Sequence, residues 1–220
     1  MTETEGLDGE SKAVVNEFHK LYYDSAADGG TWRNTYWFGV PTQKCPFDMW
    51  VYQEILFRLR PDRIIECGTA DGGSALYLAG ICDLIGKGKV ITIDILDIEG
   101  RPRHKRIEYL LGSSTSEEVF RGVGNRIRRK DVVMVILDSD HSKDHVLKEM
   151  KLYSRLVTRG SYLVVEDTNV NGNPILPDFG PGPGEAVLEF LQHNNEFEVD
   201  PCMEKFYMTF SPGGYLLKVR

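Results

Sequence analysis

The feature that most constrains the fold is an unbroken run of six apolar residues, 132–137 (VVMVIL), which ends at Asp138. A strand this apolar is typical of the centre of a parallel sheet, where helices cover both faces. Similar short segments alternate along the chain with helical patterns of ten or more residues. The strands are predicted at 63–67, 89–95, 107–111, 132–138 and 161–167, and the helices at 74–85, 116–128 and 143–157. The alternation predicts an α/β fold with a mostly parallel sheet and helices on both faces.

The last forty residues add an element that a plain doubly wound fold lacks. A helix is predicted near 185–193, followed by strand-like residues 197–200. A turn at 211–214 (SPGG) then leads into a further strand over 215–219. A terminal hairpin of this kind predicts an antiparallel strand inserted at the end of the sheet.

Upstream of the sheet, the sequence divides into two further stretches. Residues 1–10 carry four acids and no base, which predicts a flexible acidic tail. Residues 11–60 are interpreted as N-terminal helices at 11–23, with Ser11 as N-cap, and at 47–60, joined by an aromatic loop. Its segment 31–38 is a candidate wall of a substrate cleft or a packing surface. Residues 61–220 are predicted to form the main domain.

Composition excludes several classes of function. The chain has 220 residues, with 33 acids against 26 bases, and its formal charge of −7 argues against a nucleic-acid partner. The longest apolar run is far shorter than the roughly 20 residues of a membrane span. The acidic start does not resemble a signal peptide. Four widely separated cysteines form no CxxC pair, so a cytoplasmic protein with reduced thiols is expected.

Candidate ligand-binding residues follow the first two strands of the predicted sheet. The first strand runs into Glu66-Cys-Gly-Thr-Ala-Asp-Gly-Gly-Ser74, whose glycines allow a tight turn close to a ligand. The second strand ends at Asp94, whose carboxylate could accept both hydroxyls of a ribose. A dinucleotide fingerprint would need glycine where Ala70 stands, and Glu66 would repel a pyrophosphate. The pattern E-x-G-x-x-x-G-x-S is instead similar to the first motif of methyltransferases that use S-adenosylmethionine (SAM), and residues 111–114 fall where such enzymes line the adenine.

Two neighbouring strands end in acids, which predicts a cation site. Asp138 follows one strand, and Glu166 and Asp167 follow the other. Three carboxylates in one small volume repel one another, and a divalent cation such as Mg²⁺ would offset their charge. Helix caps and solvated loop acids are the plainer interpretation of such residues.

Histidines near these acids have two interpretations each. His141, three residues after Asp138, is either a helix-cap residue or a general base for a substrate hydroxyl. His145, one turn further, is expected to face solvent or to support His141. The loop over 168–184, with four glycines and four prolines, leaves directly from the predicted ligands and is interpreted as a substrate-covering lid.

Several sequence blocks in the same order resemble the cephalosporin hydroxylase / rhamnosyl O-methyltransferase family. They are YWFGVPTQKCPFDMWVYQEIL (36–56), IIECGTADGGSA (64–75), LDSDHSKDHV (137–146), VVEDTN (164–169) and GPGPGEAVLEFL (180–191). The resemblance implies a Rossmann-like class I SAM-dependent methyltransferase fold, a Mg²⁺ site and a homo-oligomer. It implies metal ligands at Asp138, Glu166 and Asp167, and catalytic roles for His141, as the base, and Asp138. The implied cofactor contacts are Glu66, Gly68, Thr69, Gly72, Ser74, Asp94, Ser113, Ser114 and Asp138.

The function predicted on this basis is SAM- and Mg²⁺-dependent O-methylation of a small molecule, a sugar or a glycosylated natural product. The metal would lower the pKa of the acceptor hydroxyl, and the base would remove its proton. A catechol-type O-methyltransferase is one alternative, with a planar aromatic diol as acceptor. An oxygenase component is another, although an iron oxygenase would need a second histidine beside His141.

Overall fold

The structure, a computed structural model, describes residues 7–24 and 30–220. Six helices and nine strands lie within these ranges. The helices are α1 (Gly9–Asp24), α2 (Pro46–Leu59), α3 (Gly73–Ile85), α4 (Glu117–Gly124), α5 (Lys143–Tyr153) and α6 (Pro183–His193). The strands are β1 (Tyr36–Trp37), β2 (Val40–Pro41), β3 (Arg63–Cys67), β4 (Lys89–Asp94), β5 (Ile107–Leu111), β6 (Val133–Leu137), β7 (Tyr162–Val165), β8 (Phe197–Val199) and β9 (Tyr215–Lys218). No helix in the described ranges is both long and apolar enough to cross a membrane.

Seven strands form one sheet in the order β5-β4-β3-β6-β7-β9-β8. β5, β4, β3, β6 and β7 are parallel, whereas β9 runs antiparallel to β7 and β8 on either side of it. The prediction of a mostly parallel sheet with an inserted antiparallel strand is therefore confirmed. The connection between β8 and β9 is longer than a tight hairpin, because residues 200–214 lie between the two strands.

The strands bury both of their faces, as the apolar run at 132–137 predicts. Side chains on one face, among them Ile65 and Val135, pack with α4, α5 and α6. Their neighbours on the other face, among them Ile64 and Met134, pack with α2 and α3. All four of these side chains are fully buried. Successive residues of a strand point to opposite faces, so one strand serves both halves of the core.

Several predicted boundaries differ from those of the structure. The first helix begins at Gly9, and the Asp8 Oδ1 accepts a hydrogen bond from the Ser11 N–H (2.8 Å), so Asp8 takes the capping role predicted for Ser11. The last two residues of the predicted acidic tail are therefore helical, and residues 1–6 lie outside the described ranges. The helix predicted over 143–157 ends at Tyr153, and Val157 is buried in the turn that follows. The helix predicted over 116–128 likewise ends early, at Gly124.

Candidate active site

One cavity of about 950 Å³ lies where β3, β4, β5, β6 and β7 end. Carboxyl ends of parallel strands meet at one edge of a sheet, which is where open α/β folds bind ligands. Seven of the nine predicted cofactor contacts line this cavity: Gly68, Thr69, Ser74, Asp94, Ser113, Ser114 and Asp138. The structure thus brings together residues that are up to 70 positions apart in sequence.

The turn after β3 requires a glycine at Gly68. Its φ of 97° favours glycine, and a Cβ there would lie 1.7 Å from the Asp138 carbonyl oxygen. The Gly68 N–H donates to the carbonyl of Ile93 (2.9 Å), which ties the turn to β4. The close approach holds the predicted cofactor turn directly against the end of β6.

Asp94 organises this turn as well as facing the cavity. Its Oδ2 accepts the N–H groups of Thr69 (3.0 Å) and Ala70 (2.9 Å) and lies 3.2 Å from an Arg101 nitrogen. Its Oδ1 accepts the Leu96 N–H (2.9 Å). Each carboxylate oxygen has two lone pairs, so Oδ1 retains acceptor capacity for a ribose hydroxyl.

Two predicted cofactor contacts do not reach the cavity. Glu66 is fully buried, and its carboxylate accepts hydrogen bonds from the hydroxyls of Ser74 (2.5 Å) and Thr92 (2.6 Å). Burial raises the pKa of Glu66 to about 7. Gly72 lies against Pro102 at the start of α3. In this arrangement Glu66 acts on the cavity through Ser74, and Gly72 shapes the helix start.

Asp138, His141 and Asp167 form the chemical centre of the cavity. One donor atom from each lies within 4.8 Å of the others, a spacing that a single cation could bridge. The His141 Nε2 lies 3.1 Å from the Asp167 Oδ2. His141 does not cap α5, since Ser142 occupies the N-cap position. Asp167 adopts a φ of 54°, a left-handed conformation that is uncommon for a residue other than glycine.

Glu166, the third predicted metal ligand, points elsewhere. Its Oε1 lies 2.6 Å from the ammonium of Lys44 and accepts a hydrogen bond from the Tyr52 hydroxyl (2.6 Å). Lys44 also forms an ion pair with Asp138, and its side chain is only 3% exposed. The carboxylate–histidine group that the structure assembles therefore contains His141 in place of Glu166, and metal binding by Glu166 stays a prediction.

The charges of this cluster depend on one another. Burial raises the pKa values of Asp138 and Glu166, and the Lys44 ammonium limits the rise. Burial lowers the pKa of Lys44, but the surrounding carboxylates raise it by more, so Lys44 remains protonated. Sequence reasoning recognised that three acids need an opposite charge and assigned it to a metal alone. Lys44 lies in the segment 36–56 that resembles the family, but a single lysine in a loop does not indicate which carboxylates it will contact.

His145 was expected to face solvent or to support His141, and the structure corrects this. It lines the cavity, and its Nε2 lies 3.3 Å from the Ser114 hydroxyl and 3.4 Å from the Glu149 carboxylate. Glu149 is fully buried and raises the pKa of His145. His145 thus holds the predicted adenine-binding loop to α5.

The aromatic segment 31–38 divides between its two interpretations, a packing surface and a wall of the cavity. Trp32 and Arg33 line it. Trp37 instead packs edge-on against Tyr77, at 4.9 Å between ring centroids, and Phe38 is 87% exposed. The loop over 168–184 does line the cavity, as predicted for it; its movement as a lid stays a prediction.

The chain is similar in sequence to proteins of one described family. The model of the family described as Rhamnosyl O-methyltransferase/CmcI matches residues 29–219. A rhamnosyl O-methyltransferase of Mycobacterium tuberculosis is 42% identical over 216 residues, covering 94% of this chain and 86% of the relative. Its counterpart from Mycobacterium leprae is 41% identical over 214 residues, covering 94% of this chain and 91% of that protein.

Among solved structures, CmcI described with Mg-SAM has a similar fold. Its TM-score is 0.64 at 22% identity, with 86% of this chain and 78% of the other chain covered. The methyltransferase fold predicted from the sequence is therefore confirmed. With a family model that spans most of the chain, the motifs and the fold lead to one conclusion: the chain belongs to the rhamnosyl O-methyltransferase/CmcI family.

Proposed function

We propose that this protein transfers a methyl group from SAM to a hydroxyl of a sugar or a glycosylated natural product, with Mg²⁺ as metal cofactor. The observation that carries the proposal is the shared cavity, in which the glycine turn and Asp94 lie beside Asp138, His141 and Asp167. Its support is the family, whose mycobacterial members are named for rhamnosyl O-methylation. CmcI, which shares the fold, has been solved with Mg-SAM.

The donor set suits a hard divalent cation. Asp138 and Asp167 would supply carboxylate oxygens, which Mg²⁺ prefers, and Glu166 would join them if Lys44 releases it. When bound, SAM supplies the methyl group and Mg²⁺ lowers the pKa of the acceptor hydroxyl. Gly68, Thr69, Asp94 and the Ser113–Ser114 loop would hold the cofactor.

His141 is the proposed general base. Its Nε2 faces the Asp167 carboxylate, which favours the tautomer protonated at that nitrogen. A neutral imidazole of this tautomer keeps Nδ1 as the proton acceptor. Asp167 would also stabilise the imidazolium that forms when the acceptor proton is taken up. Positioned bases of this kind contribute about 10²–10⁴-fold to a rate.

Family membership favours this function over both alternatives. The relatives at about 42% identity are named as rhamnosyl O-methyltransferases, which favours a sugar acceptor over a catechol. For an iron oxygenase, two histidines and one carboxylate would be expected. The cluster found among the described residues has one histidine and two carboxylates instead.

Asp138→Ala provides the direct test. We expect methyl transfer to an alkyl rhamnoside to fall by at least a hundredfold, while calorimetry shows that SAM binding is retained. EDTA treatment should abolish wild-type activity, and added Mg²⁺ should restore it. Asp144→Ala, which removes an exposed acid of α5, is the matched control. Full activity in both Asp138→Ala and the EDTA-treated enzyme would show that the metal mechanism is wrong.

A second arm of this experiment identifies the ligands. Binding of Mn²⁺, followed by electron paramagnetic resonance, is compared in Glu166→Gln and His141→Ala. A set of Asp138, Glu166 and Asp167 predicts weaker binding in Glu166→Gln and little change in His141→Ala. The reverse pattern would place His141 in the metal shell and remove it as the base.

We also propose that the protein is a cytoplasmic homo-oligomer. The four cysteines are free, and three are buried, as suits a reducing compartment. Large apolar side chains such as Phe38 and Phe57 are exposed, at 87% and 69%. Light scattering coupled to size-exclusion chromatography tests the assembly, and a monomer at micromolar concentration would contradict it.

A further inference from the structure

The loop between β4 and β5 places a buried cation beside the glycine turn that follows β3. Arg101 lies in this loop, and its side chain is only 10% exposed. Arg103, two residues further along the same loop, is exposed. Arginine is seldom buried unless a partner compensates its charge. The burial of Arg101 therefore points to a role that Arg103 does not share.

Two contacts of the Arg101 guanidinium define that role. Its Nε donates a hydrogen bond to the Ala70 carbonyl (2.8 Å), and its Nη2 lies 3.2 Å from the Asp94 Oδ2. The Ala70 N–H donates to the same Asp94 oxygen (2.9 Å). Arg101, Ala70 and Asp94 thus form a closed set, in which each residue contacts the other two.

The backbone of Ala70 depends on these contacts. Ala70 adopts a φ of 44°, a left-handed conformation that is costly for a residue with a Cβ. Such a conformation persists only where the surrounding structure fixes it. Here the Asp94 carboxylate holds the N–H of Ala70, and the Arg101 guanidinium holds its carbonyl. Loss of the guanidinium should therefore loosen the turn and the carboxylate together.

Neighbouring residues fix the guanidinium in turn. Its carbon lies 5.8 Å from the centroid of the Tyr109 ring, which is within the range of a cation–π contact. The Tyr109 hydroxyl donates to the Pro102 carbonyl (2.8 Å). A Cβ on Gly72 would lie 3.1 Å from both the Pro102 Cδ and the Tyr109 hydroxyl oxygen, so the loop packs tightly on the turn. Arg101 is therefore held in place by the protein itself.

This arrangement divides the two oxygens of Asp94 between support and ligand binding. Oδ2 accepts the N–H groups of Thr69 and Ala70 and lies beside Arg101. Oδ1 accepts the Leu96 N–H (2.9 Å) and keeps a second lone pair for a ligand. Asp94 lines the cavity, whereas Arg101 does not. Arg101 can therefore act on a ligand only through the residues that it holds.

We propose that Arg101 is a positioning residue for the cofactor, which orients the Asp94 carboxylate so that Oδ1 meets the ribose hydroxyls of SAM. The inference rests on the proposed function, which supplies the ribose. It assigns Arg101 to cofactor affinity and ribose recognition, and not to the methyl-transfer step. Arg101→Gln should raise the KM for SAM about tenfold and change kcat at saturating SAM by less than twofold.

Binding of adenosyl compounds tests this role without turnover. The probes are the SAM product S-adenosylhomocysteine, adenosine, and 2′,3′-dideoxyadenosine, which lacks both ribose hydroxyls, all measured by calorimetry. We expect Arg101→Gln to bind the first two about tenfold more weakly than the wild type, and the dideoxy compound within twofold of it. Arg101→Lys keeps the charge but lacks the guanidinium fork, so its losses should be intermediate. Arg103→Gln is the matched control and should bind all three like the wild type.

The positioning role is wrong if Arg101→Gln behaves like Arg103→Gln. It is also wrong if adenosine and the dideoxy compound weaken equally, because that pattern indicates a structural role alone. Should Arg101→Gln fail to fold, Arg101→Lys decides by the same comparison, and an unchanged preference for adenosine would overturn the role.

The same measurements separate this inference from the proposed function. The expected binding pattern in a wild type that transfers no methyl group would contradict the function and leave the role of Arg101 in place. Methyl transfer by the wild type, with an unchanged KM for SAM in Arg101→Gln, would do the opposite. A wild type that binds neither S-adenosylhomocysteine nor adenosine would contradict both.

Discussion

Lys44 shows how a single buried residue can set the properties of this site. Its ammonium contacts Asp138 and Glu166, carboxylates that follow two different strands. A buried ion pair adds little net stability, but removing one partner leaves the other charge uncompensated, at a cost of about 3–5 kcal/mol. Lys44 therefore stabilises these two carboxylates, and a bound metal would share that role.

Lys44→Met tests this interpretation, since methionine preserves most of the side-chain volume. We expect the free energy of unfolding to fall by roughly 3 kcal/mol in EDTA. Added Mg²⁺ should recover part of the loss, because the cation offsets the same carboxylates. Urea unfolding with and without Mg²⁺ measures both quantities. Adding Glu166→Gln to Lys44→Met should also restore stability, since it removes one of the two carboxylate charges that lost their ion-pair partner.

Lys20→Met is the matched control, because Lys20 forms an exposed pair with Glu17 on α1 and such pairs contribute about 0–1 kcal/mol. Equal losses in Lys20→Met and Lys44→Met would contradict the special role of Lys44. A loss in Lys44→Met that Mg²⁺ does not change would show that metal and lysine act on different groups.

At the scale of elements, α1 is attached by one buried histidine and by two partly buried tyrosines, Tyr22 and Tyr23, whose rings lie 6.0 and 5.6 Å from that of Phe210. His19 is 4% exposed, and its Nε2 lies 2.9 Å from the Asn169 side-chain nitrogen, two residues after Asp167. Its ring also stacks on Phe210, at 5.6 Å and 10°. His19 is the single residue of α1 that is buried, although Val14 and Leu21 follow helical spacing. His19 is therefore the buried, polar part of this attachment.

Acid pH should loosen this attachment. Burial lowers the pKa of His19 to about 4, from an unfolded value near 6.5. As the pH falls below 6.5, His19 is protonated in the unfolded chain but stays neutral in the folded chain. Stability is therefore lost between about pH 6.5 and 4. Between pH 7 and pH 4.5, the free energy of unfolding of the His19→Gln variant should fall by roughly 2–3 kcal/mol less than that of the wild type. Chemical unfolding at the two pH values measures the difference.

Two buried carboxyl groups change the stability with pH in the opposite direction, but their effects cancel when the variant is compared with the wild type. Burial raises the pKa of Asp48 to about 6 and that of Glu66 to about 7, so each contributes stability at low pH that is lost as the pH rises. Both residues are present in wild type and variant, so their effects cancel. His193→Gln, which changes an exposed histidine, is the matched control. An unchanged pH dependence in His19→Gln would mean that His19 is protonated in the folded state.

At the scale of the whole molecule, strands were more predictable than contacts. The residues of β6 are apolar throughout, and Asp138 follows them directly. The strand, its burial on both faces and the position of Asp138 therefore all follow from a local pattern. Helix ends were less predictable, because Val157 keeps the helical spacing but is buried in a turn. The ion pair of Lys44 with Asp138 spans 94 residues, and local patterns carry no information about such a pairing.

The predicted boundary between residues 11–60 and the domain at 61–220 remains to be tested, and the core suggests the outcome. Val51, Tyr52, Ile55 and Leu56 of α2 are at most 2% exposed and pack with strands β3, β4 and β6 and with α3. Burying four such side chains contributes on the order of 10 kcal/mol. That is comparable to the whole net stability of a typical domain, about 5–15 kcal/mol.

A chain that starts at residue 61 should therefore not fold alone. It would expose the part of one sheet face that α2 covers and would lose Lys44, so we expect no cooperative unfolding transition and no SAM binding. A chain that starts at Thr31 lacks α1 but keeps α2, and should unfold cooperatively with reduced stability. A chain that starts at Leu7 retains all fifteen described helices and strands and serves as the control. Circular dichroism during urea unfolding distinguishes the three chains. Cooperative unfolding of residues 61–220 with SAM bound would instead make residues 11–60 a dispensable cap, because α2 would then contribute nothing that the sheet requires.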